Sequence, residues 1–149
     1  MPYSANPDCL VSTKRVFSAT PREIFMAFEN PKHLAQWWGP QGFTSTFETF
    51  DFKPNGRWVF VMHGPDGANY FNESVFREIQ PDTCIIVEHV VQPWFTLRVT
   101  LTSLGDQTLL NWDQEFKNPE IAESMRQLSK TANEQVLDRL QSLLAEQHA

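Results

Sequence analysis

The chain has 149 residues, a formal net charge of -6 and a pI near 5.1, with 41% hydrophobic and 13% aromatic residues. That length suits one domain with a real hydrophobic core, so residues 1–149 are read as a single domain. The acidic balance, with no run of Lys or Arg, excludes the basic stripe that nucleic acid demands and argues equally against an anionic membrane surface.

Twelve Phe, five Trp and two Tyr are many large rings for so short a chain, and they must pack or line something. The opening Met1-Pro2-Tyr3-Ser4-Ala5-Asn6-Pro7-Asp8 has neither a charged n-region nor an apolar h-region. Nowhere do about 18 apolar residues run together. Neither secretion nor membrane spanning is expected, and a cytoplasmic location is the default. Cys9 and Cys84 lie far apart in apolar, strand-like segments, outside any Cys-x-x-Cys or Cys/His ligand spacing, and are read as buried reduced thiols.

In chain order, Leu10 to Phe17 flanks a polar alternation with Leu10, Val16 and Phe17, as a strand with one wet face does. Thr20-Pro21-Arg22-Glu23 starts a helix with Thr as N-cap, Pro at N1 and Glu at N3, a capping box, and Ile24, Phe25, Ala27 and Phe28 supply the buried face. Asn30-Pro31 repeats the device, so a second short helix carries His33, Leu34, Trp37 and Trp38 until Gly39-Pro40 stops it. After Gly42 the period falls to two. Phe43, Phe47, Thr49 and Asp51 take one face and Thr44, Thr46, Phe50 and Phe52 the other, apart from slips that a bulge absorbs.

Pro54-Asn55-Gly56 turns into a strand from Arg57 to His63, and Gly64-Pro65-Asp66-Gly67 turns into one from Asn69 to Ile79. Gln80-Pro81-Asp82-Thr83 leads into Cys84 to Val91, and Pro93 resets the chain. From Trp94 to Leu104, Phe95, Leu97, Val99 and Leu101 alternate with Thr96, Arg98, Thr100 and Thr102. Gly105-Asp106-Gln107 turns into a last strand, Thr108 to Phe116, where Leu110, Trp112, Gln114 and Phe116 share a face. Asn118-Pro119 opens a helix to about Glu146, roughly 40 Å long. Its apolar set is Ile121, Met125, Leu128, Ala132, Val136, Leu140 and Leu144.

This order predicts an α+β domain: a strand, two short helices, a six-stranded meander and one long helix. Strands joined by short turns pair antiparallel, and about seven twisted strands curl when a long amphipathic helix covers one face. A sheet curled around a helix tends to leave a hollow.

Several segments carry a family resemblance. They are Ser18 to Phe28, Trp37-Trp38-Gly39-Pro40, Gly56-Arg57-Trp58, Met62-His63-Gly64-Pro65-Asp66-Gly67 and Arg77-Glu78-Ile79-Gln80-Pro81. In that order they resemble the family of activator of heat-shock chaperone ATPase homologues, within the START-like, polyketide-cyclase-like (SRPBCC) superfamily. The resemblance spans nearly the whole chain. It implies a helix-grip fold whose cavity, between sheet and C-terminal helix, receives lipids, hormones, polyketides or other apolar molecules in relatives. Two departures stand out: Lys130-Thr131-Ala132-Asn133-Glu134 where many bacterial relatives carry a Gly-Trp pair, and Ser74 where many have Gly. The first removes a ring that would shape the cavity mouth, so the ligand class does not carry over.

Trp37 and Trp38 read either as a plug and cap of the core or as a gate to the cavity. Trp58, Phe60 and Met62 on one strand, and Trp112 and Phe116 on another, serve equally as core or as soft pocket walls. Catalysis would need an acid–base group inside the hollow. His63 shares the face of Arg57, opposite Trp58 and Met62, and points outward if the rings point inward. Glu73 shares parity with Phe71 and Val75, while Arg98 goes with Thr96 and Thr100, so Glu73 is the better placed inward charge. No nucleophile elbow, phosphate-binding Gly loop, dinucleotide fingerprint or metal-ligand pair is present, and neither metal nor cofactor is expected.

The expected function is non-catalytic binding of a small hydrophobic or amphipathic ligand. The residues expected to hold it are Trp37, Trp38, Trp58, Phe60, Met62, Phe95, Leu97, Trp112, Met125 and Leu128. A cyclase, dehydratase or hydrolase acting in the same cavity through Glu73 or His63, and a module binding a chaperone partner, are the alternatives. The chain is expected to be a monomer or homodimer.

Overall fold

Short turns between successive strands leave antiparallel pairing as the reachable geometry. In the computed structural model, which describes residues 6–147, that is what the chain does. Part of the opening Met1–Asp8 segment, read for the absence of a leader, lies outside the described residues.

Seven strands form one sheet: β1 (Leu10–Phe17), β2 (Thr44–Phe50), β3 (Arg57–His63), β4 (Asn69–Gln80), β5 (Cys84–His89), β6 (Phe95–Leu104) and β7 (Gln107–Phe116). Their order is β1-β7-β6-β5-β4-β3-β2, every neighbouring pair antiparallel. The meander from β2 to β7 matches the sequence reading, and β1 closes on β7. Helices α1 (Pro21–Glu29) and α2 (Pro31–Trp37) follow β1, and α3 (Pro119–Gln147) ends the described chain. This is the α+β helix-grip arrangement. No helix among the described residues is long and apolar enough to cross a membrane.

The caps form as their chemistry requires. Thr20 Oγ1 accepts from the Glu23 amide at 3.2 Å while Glu23 Oε1 accepts from the Thr20 amide at 3.0 Å, which closes the capping box. Asn30 Oδ1 accepts from the Lys32 amide at 2.9 Å, and Asn118 Oδ1 from the Ile121 amide at 2.9 Å. Cys84 is buried in β5; Cys9, also buried, ends a 3-10 turn over Pro7–Cys9 rather than lying in a strand, and both thiols are free.

Two irregularities set which faces look inward. On β2 the register slips between Phe47 and Thr49, so Phe47 pairs with Phe60 and Phe50 with Trp58. The extra residue carries Phe47 and Phe50 to the same inner face, which plain alternation had put on opposite faces. On β4 a second slip lies between Phe76 and Glu78.

Helix α3 lies against the sheet with its stripe divided by side-chain size. Its C-terminal half buries Val136, Leu137, Leu140, Leu143 and Leu144, whereas its N-terminal half buries only Ala122, Ser129 and Asn133. Leu128, expected on the buried stripe, is 65% exposed. At 3.6 residues per turn it falls roughly 120° around the axis from the centre of that stripe. Arg15 on β1 ties the helix down through Glu134 at 2.7 Å and Asp138 at 2.8 Å, and Arg126 donates to the Leu10 carbonyl at 2.7 Å.

Gly56 is required by space: a Cβ there would sit 2.0 Å from the Asp51 carbonyl oxygen, which is backbone and has no room to yield. Thermal unfolding should therefore show Gly56→Ala losing more than about 2 kcal/mol. Thr20→Ala, which opens the capping box, should lose about 1 kcal/mol, or about 2–4 °C in Tm at this size. Equal losses would contradict the steric reading of Gly56.

Candidate functional site

The division of α3 by side-chain size decides where the molecule is hollow. Ala132, Asn133 and Val136 are shorter than the leucines that follow them on α3, and at their level helix and sheet border a cavity of about 160 Å3. The sheet lines it from Phe60 and Met62 on β3, Asn72 and Ser74 on β4, Val87 and His89 on β5, Phe95 and Leu97 on β6 and Trp112 on β7. The loop after α2 adds a further wall with Trp38, Gly39 and Pro40.

That closing loop is held from both ends. Trp37 is fully buried, gives its Nε1–H to the Ala27 carbonyl at 3.1 Å and meets Phe28 edge to face at 4.8 Å. Trp38, one residue on, packs on Trp58 at 4.8 Å and on Trp112 at 5.6 Å. On the α3 side one guanidinium gathers the loop's carbonyls. Arg139 Nη1 donates to Gly39 O at 2.8 Å, Pro40 O at 3.1 Å and Trp38 O at 3.4 Å, and Nη2 donates to Gln36 O at 2.7 Å. Burial pushes the Arg139 pKa below its ordinary value, and the carbonyl dipoles replace the water it gave up. Gln135 Oε1 accepts from the Gln41 amide at 3.1 Å and completes the clamp.

The cavity is apolar but not uniformly so. His89, 5% exposed, stacks on Phe95 with centroids 4.7 Å apart. Its Nδ1 lies 2.8 Å from Pro93 O and its Nε2 2.8 Å from Asn72 Oδ1. Two facing acceptors favour the doubly protonated ring, while desolvation favours the neutral one. Desolvation is the larger effect and sets the His89 pKa below the ordinary imidazole value. A neutral ring keeps Nδ1–H on Pro93 O and turns the Nε2 lone pair towards the Asn72 carboxamide. Asn133 gives its Nδ2–H to Gln114 Oε1 at 3.2 Å. Trp58, packed behind Trp38, keeps its Nε1 buried without a hydrogen-bond partner among the described residues.

Of the ligand-binding residues expected from sequence, Trp38, Phe60, Met62, Phe95, Leu97 and Trp112 line this cavity. Trp37 and Trp58 lie in the core behind it, Leu128 faces solvent, and Met125 faces a separate surface groove with Pro93, Trp94 and Ile121. Glu73 corrects the sequence reading. It pairs across from Val59 and bonds Arg57 at 3.2 Å, so it sits on the outer face with Phe71, which is 56% exposed. The inner face of β4 is Asn72, Ser74 and Phe76, one residue out of step with that expectation. His63 is outside, as its parity implied, bonded to Thr46 at 2.8 Å and Asn69 at 2.7 Å. The titratable group that faces the cavity is His89, which sequence reasoning placed only among strand residues mostly bound for solvent. Its shared parity with Ile85 and Val87 was the available signal. Among the described residues no group of three or more His, Cys, Asp or Glu could hold a metal ion.

A family model described as activator of Hsp90 ATPase homolog 1-like protein matches residues 18–145. No curated protein matches the sequence. Among solved structures, a crystal structure of a protein from Nitrosomonas europaea superposes with a TM-score of 0.88 at 16% identity, covering 97% of this chain and 99% of that one. A solution structure of a protein from Arthrobacter aurescens does so with a TM-score of 0.86 at 22% identity, covering 93% and 87%. The AHSA1 protein from Silicibacter pomeroyi gives 0.78 at 20% identity, covering 93% and 99%. Identities this low establish a shared fold and no more.

The neutral, buried His89 makes stability depend on pH. Its folded pKa is depressed, so the unfolded chain binds the extra proton; the stabilisation is present above an unfolded pKa of 6.5 and is lost as pH falls below it. Urea unfolding between pH 7.5 and 5.5 should show stability falling with pH, and His89→Phe should flatten that fall. Parallel profiles for the two proteins would contradict a buried neutral ring.

Proposed function

The chain belongs to the family of activator of Hsp90 ATPase homolog 1-like proteins, and from that premise we propose that it binds a small, largely apolar molecule in the cavity between sheet and α3, without transforming it. The observation that carries this reading is the cavity itself. It is walled by Trp38, Phe60, Met62, Phe95, Leu97 and Trp112, and it lies where α3 lacks the side chains that would fill it. Rings and thioether offer flat, polarisable contact, and burial of apolar surface supplies the driving force, at about 25 cal/mol per Å2.

Size narrows the occupant. At about 160 Å3 the cavity is smaller than the ~300–1,000 Å3 that drug-sized ligands occupy, and close to the ~150 Å3 of an engineered apolar cavity that takes up benzene. The fitting ligand is one ring, or a chain of similar bulk.

Catalysis on an apolar substrate is the second reading, and His89 is the observation in its favour, a titratable ring facing the cavity. Both its nitrogens are already engaged by Pro93 and Asn72, which leaves no free nitrogen for a substrate and favours simple binding. Glu73 and His63, the acid–base candidates from sequence, lie outside the cavity.

Titration with single-ring compounds, followed by tryptophan fluorescence, should give a saturable change through Trp38 and Trp112. A Kd on the order of 0.1 mM is expected for a ligand of so few atoms. Ala132→Leu, which fills the cavity from the helix side, should abolish the change while unfolding stays cooperative. No saturable response from any member of a broad apolar library, or one indifferent to Ala132→Leu, would contradict the proposal.

A further inference from the structure

The polar atoms of the cavity allow its ligand to be narrowed by chemistry as well as by size, and this step rests on the binding reading. No Asp, Glu, Lys or Arg lines the cavity. The titratable ring that lines it, His89, has its two nitrogens turned to Pro93 and Asn72, at 2.8 Å each, rather than to the open space. A charged guest would lose its hydration and meet no counter-charge.

Two polar side chains retain unused capacity. Ser74 on β4 is 3% exposed, and its Oγ makes no hydrogen bond among the described residues. Asn133 on α3 is 7% exposed and gives Nδ2–H to Gln114, and its Oδ1 accepts no hydrogen bond among the described residues. Both line the cavity, one from the sheet and one from the helix, together with the packed pair Trp38 and Trp112. A purely apolar guest would seal these atoms away from water unpaired; a guest with one hydrogen-bond donor would satisfy at least one of them.

We propose that the cavity selects a neutral aromatic ring bearing one hydrogen-bond donor, of the phenol or indole class, with the ring against the Trp38–Trp112 pair and its O–H or N–H received by Asn133 Oδ1 or Ser74 Oγ. Ser74 stands where a glycine would offer no hydroxyl, so the preference belongs to this chain's own side chains.

The test compares phenol, indole, toluene, benzoate and benzylamine at pH 7.5 by fluorescence titration of the full chain and of its Ser74→Ala and Asn133→Leu variants. Phenol and indole should bind about tenfold more tightly than toluene, the factor that one net hydrogen bond supplies. At least one variant should erase that advantage, measured as the ratio of phenol to toluene affinity in the same protein, and benzoate and benzylamine should bind more weakly than toluene. Ser74→Ala keeps the test usable if Asn133→Leu fails to fold. Equal affinity for phenol and toluene, an advantage that survives both substitutions, or tight binding of a charged ring would overturn the donor preference and leave the binding reading standing. Failure of all five compounds while longer apolar molecules bind would overturn the single-ring class. Failure of every apolar molecule would remove the binding reading itself.

Discussion

The structure depends on a mismatch between a helix and the sheet that grips it. Along α3 the inward side chains change from leucines in the C-terminal half, where Leu137 and Leu140 are fully buried, to Asn133, Ala132 and Ser129 towards the N-terminal half. The sheet does not close the gap this leaves. Its seven strands are paired in unbroken antiparallel order, and the facing rings pack against each other: Trp58 lies 4.6 Å from Phe60 and 5.7 Å from Phe76. Interiors packed in this way transmit strain more readily than they collapse. A cavity is the outcome, at the level of Ala132, Asn133 and Val136.

The closing wall follows from a second constraint. Helix α2 ends at Trp37 with Trp38 as its C-cap, and Gly39 turns the chain with a φ of +102° that suits glycine, leaving the segment's carbonyls facing α3. Arg139 collects those of Gln36, Trp38, Gly39 and Pro40, so one guanidinium fixes the segment that carries Trp38 over the cavity. Trp37 anchors the other end in the core beneath α1. Of the tryptophan pair, Trp37 packs within the core and Trp38 lines the cavity.

Much of this was legible in the chain, because turns and caps are local. The Thr20 capping box, the Asn30 and Asn118 caps and the order of strands came from residues within a few positions of one another. Alternation located the inner face of β6 and β7 because neither strand is interrupted. What local pattern did not carry was depth and parity. Glu73 followed Phe71 and Val75 by alternation, and those apolar residues face outward, so the rule was sound and its anchor was not. Leu128 was assigned by apolar character, whereas the buried positions of that half of α3 are small or polar. The cavity residues with hydrogen-bonding chemistry, Ser74, His89 and Asn133, are the least conspicuous in sequence, since each looks like an ordinary surface residue until the sheet curls over it.

The central claim, that the gap between α3 and the sheet is a ligand site, is tested most directly by crystals soaked in 4-bromophenol and measured at the bromine absorption edge. The account predicts an anomalous peak inside the cavity, between Trp38, Trp112 and Asn133, that is absent from crystals of Ala132→Leu. A peak confined to the outer surface, or none at concentrations well above millimolar, would contradict it.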